Sequence, residues 1–368
     1  MKKSALTLAI ALSITGLTAC QSQTAVEVNS IELTEQSLNF QQFSQQFIDD
    51  LWVESPTWAL YSGFHKYDGV LKVPNEQARQ ASLNFVNKQS ALLASFDKAS
   101  LPAGLLTDYR LIENLIGEMR WNIETFKSWQ WNPSSYNVSG GFAQIINEDF
   151  APLDERLISV LSRMENVPAY YAAARENISN PTLEHTQLAI MQNEGAFSVF
   201  NNDLLDKVIA SNLSNAQKAL FVTRFNKVTI AVNEHIGWLK TLETKLTKEG
   251  ARSFRIGEEL YEQKFAFDIQ AGMSGKALYK KALADKSRVQ AEMSKITEKL
   301  WPSYFDTAMP ADSKVAIKQL IDKLSAKHVK RDDFVDEVRA QIPELIAFVN
   351  EKQLVTLDPN KPLVVRET

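Results

Sequence analysis

Between Asn215 and Lys248, Phe221, Phe225, Val228, Val232, His235, Leu239, Leu242 and Leu246 follow one another at alternating steps of four and three. Only an α-helix returns every third and fourth side chain to one face. Such a seam has to be covered by other helices crossing at a shallow angle, because one helix cannot hide it alone. Gly250 stands where a glycine stop belongs. The stretch therefore predicts a helical bundle, and the rest of the chain must supply the covering helices.

It does so on both sides. Phe40, Phe43, Phe47 and Leu51 share a face up to the Ser55-Pro56 break, with Thr57–Tyr61 a further short turn. Helical stretches are expected over 75–97, over 105–129 with a stripe of Leu111, Leu115, Met119 and Ile123, and over 142–150, 153–178 and 182–211. Ser274 should cap a helix running through Leu278, Ala282, Val289, Met293, Ile296 and Leu300, which Trp301-Pro302 should stop. Two more follow over 312–328 and 332–353. The last segment, 357–368, has two prolines before a β-branched run and reads as an extended strand without a visible partner. The expected fold class is all-α: a multi-helix bundle of long antiparallel helices with a short extended C-terminal tail.

The N-terminus has a different character. Lys2 and Lys3 precede an apolar run from Ala5 to Leu17, and Leu17-Thr18-Ala19-Cys20 closes it. That is the order of a secretory signal, and the run falls short of the about 20 residues a spanning helix needs. A cysteine directly after Leu-Thr-Ala resembles the bacterial lipobox, in which the thiol is acylated and the cysteine becomes the new N-terminus. The expected division is a lipoprotein signal peptide over 1–19, a lipidated flexible tether over 20–33 and a helical domain over 34–368. Gln21 stands where an aspartate would be the inner-membrane retention cue. By analogy, the expected location is the periplasmic face of a Gram-negative outer membrane.

Composition narrows the partners. The 368 residues are 45% hydrophobic and 23% charged, ordinary values for a globular chain. Removing residues 1–19 takes away two lysines and no acid, moving the formal net charge from −4 to −6. An acidic surface argues against nucleic acid and against adhesion to anionic lipid by charge, leaving membrane attachment to the acyl chain on Cys20. Cys20 is the only cysteine, so neither an internal disulfide nor a cysteine-based metal site can form.

Signals for chemistry are sparse. His65, His185, His235 and His328 are the only histidines, and no H-E-x-x-H helix, G-x-S-x-G elbow, P-loop or dinucleotide glycine pattern occurs. His65 lies in a loop with two glycines, Gly63 and Gly69, and is the best functional candidate of the four, against the plainer reading of a hydrogen-bonded loop histidine. His235 falls on the apolar seam, which favours a core or interface role over a metal ligand, and the Glu184-His185 pair reads as an exposed pair that could contribute a ligand only if a second histidine approached it. The loop holding Trp129, Trp131 and Tyr136 either lines a groove for peptide or glycan or forms a buried plug. Asn147-Glu148-Asp149 and Asp154-Glu155 bring carboxylates together, as acid/base catalysis requires, but acids near a helix start also complement its dipole.

Several segments in order carry a resemblance. They are Ser55-Pro56-Thr57-Trp58-Ala59-Leu60-Tyr61-Ser62-Gly63-Phe64-His65-Lys66-Tyr67-Asp68, then Trp131-Asn132-Pro133, then Asp154-Glu155-Arg156-Leu157 through Val167-Pro168. Arg255-Ile256-Gly257-Glu258-Glu259-Leu260-Tyr261 and Pro362-Leu363-Val364-Val365-Arg366-Glu367-Thr368 complete the set. Together they resemble the bacterial "domain of unknown function 885" family, many of whose members are exported lipoproteins. The resemblance implies a helical zinc-metallopeptidase-like protein, with a His-Glu…Gly-His element in its C-terminal half supplying metal ligands and a general base.

No histidine–glutamate pair of this chain matches that element, so no metal ligand and no catalytic residue is carried over. The resemblance therefore implies the N-terminal helical part of such a protein, inactive alone. It implies no cofactor in this chain, with zinc and a peptide substrate expected only where the missing C-terminal half is present. The competing reading is a non-enzymatic helical envelope lipoprotein acting as a binding or assembly module.

Overall fold

The structure is a computed structural model that describes residues 35–365. The expected signal peptide, Cys20, the tether and Arg366-Glu367-Thr368 lie outside the described residues. Among those described the fold is all-α without a strand, and one isolated parallel bridge joins Thr182 to Arg252. They divide into two compact units, the first ending at Ile256 and the second starting at Gly257.

In the first unit, α1 (Glu35–Glu54), α2 (Pro56–Tyr61), α3 (Glu76–Leu93) and α4 (Ala103–Trp121) come first. Phe40, Phe47 and Leu51 of α1 are buried against Val86 and Leu93 of α3 and against Tyr109, Ile112 and Ile116 of α4. Phe40 anchors this layer, stacking on Tyr109 with ring centres 5.9 Å apart and meeting Phe96 edge-on at 5.3 Å. The stripe expected on α4 is corrected here: Leu111 is exposed, and Tyr109, Ile112 and Ile116 face inward. This helix carries two apolar rows one residue apart, and packing against α1 and α3 selects the row the spacing did not single out.

Short elements follow: α5 (Ser128–Trp131), α6 (Ser139–Asn147), α7 (Leu153–Met164), α8 (Val167–Asn177), α9 (Leu183–Glu194), α10 (Asn202–Ala210) and then α11 (Asn215–Glu249). The expected 105–129 helix ends early, in a π-helical turn over Asn122–Phe126 and a left-handed Lys127 at φ 49°. The single helices expected over 153–178 and 182–211 each break in two, at Glu165-Asn166 before Pro168 and at a 3₁₀ turn over Gly195–Ser198. The seam of α11 is buried as its spacing requires, at Phe221, Phe225, Val228, Val232, His235, Leu239 and Leu246. It closes a core with Phe142, Leu157, Val160, Met164, Tyr171, Leu204 and Val208. Each fully buried Phe, Leu or Val there contributes about 1.5–3 kcal/mol over an exposed one. Ser214 and Gln217 form a reciprocal capping box at the start of α11, and Gly250 ends it at φ 92°.

The second unit holds α12 (Glu258–Ile269), α13 (Gly275–Tyr304), α14 (Ser313–Ser325) and α15 (Phe334–Glu351). Ser274 caps α13 as expected, accepting from the Ala277 N–H. The Glu262 carboxylate of α12 accepts from the N–H groups of Gly275 and Lys276 at 2.8 and 3.1 Å. A Cβ on Gly275 would lie 2.8 Å from the Tyr261 ring, so the close approach of α12 depends on glycine there. Trp301-Pro302 does not stop α13, which runs on to Tyr304. Proline near a helix end removes one backbone donor and is tolerated, while the Trp301 indole donates to Thr307 O at 2.7 Å and stacks on Phe305. α15 contains Pro343 and has no buried residue. The tail beyond it is irregular rather than a strand, with a turn at Pro359-Asn360, and Arg339 donates to Val365 O at 3.4 Å.

Candidate functional site

His65 opens a 3₁₀ turn, His65–Tyr67, entered through Gly63 at φ 77°. That positive φ suits glycine and lets the chain reverse after α2. His65 Nδ1 lies 3.0 Å from Asp68 Oδ2, and its ring stacks flat on Phe150 at 3.4 Å. Asp68 is 2% exposed; burial pushes its carboxyl up, opposed by His65 and more weakly by Arg163. Arg163 of α7 is buried behind it, donating to Asp68 O and Val70 O at 3.2 and 2.7 Å and to Thr57 Oγ1 at 2.8 Å. Asp68 Oδ1 and Arg163 Nε have no partner. Arg163 thus staples the His65 turn and α2 onto α7 and leaves a half-buried imidazole held by a buried carboxylate.

The aromatic loop is an anchor. Trp131 is buried: its indole donates to Phe126 O at 2.9 Å, Arg252 lies 4.4 Å over its ring, and His185 meets its edge at 5.6 Å. Tyr136 is buried too, its hydroxyl donating to Trp129 O at 2.7 Å and accepting from Asn177 at 3.1 Å. Burial raises its phenol pKa. Trp131 and Tyr136 therefore hold the same loop, whereas His65 belongs to the cluster around Asp68 and Arg163.

A cleft of about 500 Å³ opens between the end of α1, α2, the start of α3 and the end of α4. Pro56, Trp58, Met119 and Ile123 make its apolar walls, and Glu54, Lys72, Arg79 and Ser82 its polar ones. Lys72 pairs with the Glu54 carboxylate and donates to Glu54 O at 3.0 Å, and Ser82 also bonds that carboxylate. A neighbouring pocket of about 150 Å³, lined by Ser128, Trp129 and Tyr136, shares Pro74 and Arg79 with the cleft. Arg79 packs 4.0 Å over the Trp129 ring, so the two spaces meet across one fixed guanidinium. A mostly apolar cleft with a few converging polar groups is the usual form of a small-molecule site.

No sequence spacing records this convergence, since Glu54, Lys72 and Arg79 come from three different segments. Arg163 left a readable signal: it shares the buried face of α7 with Leu157, Val160 and Met164.

The carboxylate pairs line neither of these spaces. Glu148 and Asp149 are exposed, and Asp149 pairs with Arg156. Asp154 and Glu155 lie in the first turn of α7, where Asp154 accepts from Asn212 N and Nδ2. The other histidines are apart: His185 bonds Thr182, His235 is buried on the seam, and His328 bonds Val329 O. Among the described residues no three His, Cys, Asp or Glu side chains gather as a metal-binding group, so the donor set here does not fit zinc. No helix among them is long and apolar enough to cross a membrane.

The profile of a family described as "Bacterial protein of unknown function (DUF885)" matches residues 56–368. The solved structure of a "putative lipoprotein of unknown function" from Shewanella oneidensis is 68% identical, with a TM-score of 0.81 over 89% of this chain and 60% of that one. That of a "putative lipoprotein" from Colwellia psychrerythraea is 13% identical, with a TM-score of 0.56 over 86% of this chain and 60% of that one, a likeness of fold. The chain thus spans 60% of the length of either solved relative. No curated protein matches it.

Proposed function

The chain belongs to the bacterial protein family of unknown function DUF885, and we propose on that premise that it is the N-terminal helical part of a larger exported hydrolase. In this reading it is anchored through acylated Cys20 at the periplasmic face of the outer membrane. The whole is zinc-metallopeptidase-like, and the segment that the longer relatives carry brings the metal ligands and general base. In this reading this part alone binds no zinc tightly and hydrolyses nothing.

The observation that carries the reading is the bare apolar face of α15 and the tail. Phe334 is 59% exposed, Leu345 57% and Leu363 70%. A groove of about 830 Å³ runs between α15 and the returning tail, lined by Ile342, Leu345, Ile346, Val349, Leu357 and Leu363. An amphipathic helix owes most of its stability to packing of its apolar face, and an exposed patch of this kind marks an interaction surface. The occupant proposed is the part of the relatives' architecture that this chain does not cover. The non-enzymatic binding module remains as a second reading because the cleft in the first unit is built without any help from α15.

The test is to express the uncovered part of the Shewanella relative and mix it with this chain. Formation of a one-to-one complex, with slowed amide exchange along α15 and over 357–365, supports the proposal. Absence of a complex, with exchange there unchanged, overturns it.

A further inference from the structure

We propose that the groove around Arg79 is a binding site for a carboxylate carried on an apolar or aromatic body, with Arg79 as its anion receptor. The guanidinium is immobilised on its inner side. Its Nη1 donates to Asn177 Oδ1 at 2.7 Å and to Pro74 O at 3.2 Å, and its plane lies on Trp129. Asn177 is itself fixed, donating to Pro74 O at 2.6 Å and to the Tyr136 hydroxyl at 3.1 Å.

The outer edge is different. Nε and Nη2 both donate to one oxygen of Glu76, at 3.1 and 2.7 Å, and that carboxylate side chain is 78% exposed. An exposed pair three residues apart on one helix contributes little. It also wastes the fork, because two parallel bonds to two oxygens are the favoured guanidinium–carboxylate geometry. Glu76 therefore occupies Arg79 as a removable plug, and an incoming carboxylate that uses both of its oxygens displaces it at little cost.

The adjoining cleft defines the rest of the ligand. Lys72 is held by the largely buried Glu54 carboxylate, whereas the Glu76 partner of Arg79 is exposed and displaceable, so Arg79 supplies the positive charge, while Trp58, Met119 and Ile123 offer apolar walls. A volume of about 500 Å³ accepts a body the size of an amino-acid derivative or short peptide end. The same chemistry is offered by a free aromatic acid and by the C-terminus of a peptide.

The experiment titrates the intact chain with N-acetylphenylalanine, its amide, and the tripeptide Gly-Gly-Phe, following the indole N–H signals of Trp58 and Trp129 by NMR. Both acids are expected to shift these signals, with the amide about tenfold or more weaker, as loss of a charge-assisted fork predicts. Equal affinity for the two acids assigns the site to free acids; tighter binding of the tripeptide assigns it to peptide ends. Arg79→Lys should weaken binding about tenfold, because a lysine cannot reproduce the fork. Glu76→Gln, on a solvent-facing side chain, should tighten it about two- to fivefold by removing the competing carboxylate. An amide that binds as well as the acid, a Glu76→Gln variant that fails to bind more tightly, or indole signals indifferent to both acids overturns the assignment.

Discussion

His235 should make this protein acid-sensitive in a measurable way. It sits on the seam of α11, 1% exposed, with ring centres 4.5 Å from Tyr171 and 5.5 Å from Trp238, and neither ring nitrogen has a partner. Burial, helped by the positive charge of Arg175, holds its pKa down to about 3 from an ordinary 6.5. The unfolded chain binds a proton near the ordinary value, so between those limits it binds more protons than the native state, and stability falls as pH falls. The loss is nil well above pH 6.5, grows by about 1.4 kcal/mol per pH unit below it, and reaches about 2.7 kcal/mol at pH 4.5. His235→Leu removes the proton and both unpartnered nitrogens. Urea unfolding of wild type and variant, followed by tryptophan fluorescence at pH 7.5, 5.5 and 4.5, isolates this one group. The variant should gain on wild type by about 1.4 and then about 2.7 kcal/mol as the pH drops. A difference that stays constant across the three pH values refutes the reasoning.

Two glycines should respond in opposite directions to alanine. At Gly141 the new Cβ would sit 2.9 Å from Nη2 of Arg163, whose guanidinium is fixed by three hydrogen bonds, so Gly141→Ala should cost about 1–3 kcal/mol. Gly237 lies inside α11 with nothing within 4 Å, and Gly237→Ala should gain about 0.5–1 kcal/mol. Thermal unfolding of both variants checks the signs. Leu345→Glu, at a 57% exposed position, should leave the stability of the isolated chain within about 0.5 kcal/mol of wild type. The same change should abolish complex formation with the uncovered part of the Shewanella relative in a mixing experiment.

The helices that the sequence announces clearly are those with a single unambiguous face. The α11 seam is of this kind; only Leu242 along it is half-buried rather than buried. Where a helix carries two apolar rows, as α4 does with Leu111 beside Ile112, spacing cannot choose and the partner helix decides. Ser139-Gly140-Gly141 reads as loop because glycine disfavours helix, yet all three lie in α6. Gly141 is required by what approaches it, since a Cβ there would meet the fixed Arg163 guanidinium, whereas one on Gly140 would meet only the free end of the exposed Tyr61 side chain, 2.6 Å away. α12 went unread because its sequence shows no apolar stripe, and Phe265 is its one buried residue.

The site was less legible than the fold. Gly63 and Gly69 flank His65 and mark its turn in the sequence, with Asp68 only three residues on. Glu54, Lys72 and Arg79 come together only through the packing of α1, the 70–75 segment and α3. Trp129, Trp131 and Tyr136 announce themselves as aromatic, but aromatic character does not separate a groove wall from a plug. Contacts with Phe126, Arg252 and Asn177, remote or unremarkable in the sequence, make that distinction.

The central claim is that these residues work as one part of a larger lipid-anchored polypeptide. The most direct measurement is the intact mass of the protein extracted from the membranes of its native host. The account predicts a lipid-modified species beginning at Cys20 with a mass well above that of the acylated 20–368 chain. A mass equal to that of the acylated 20–368 chain would contradict it, and the groove along α15 would then have to be filled by a separate partner in the envelope.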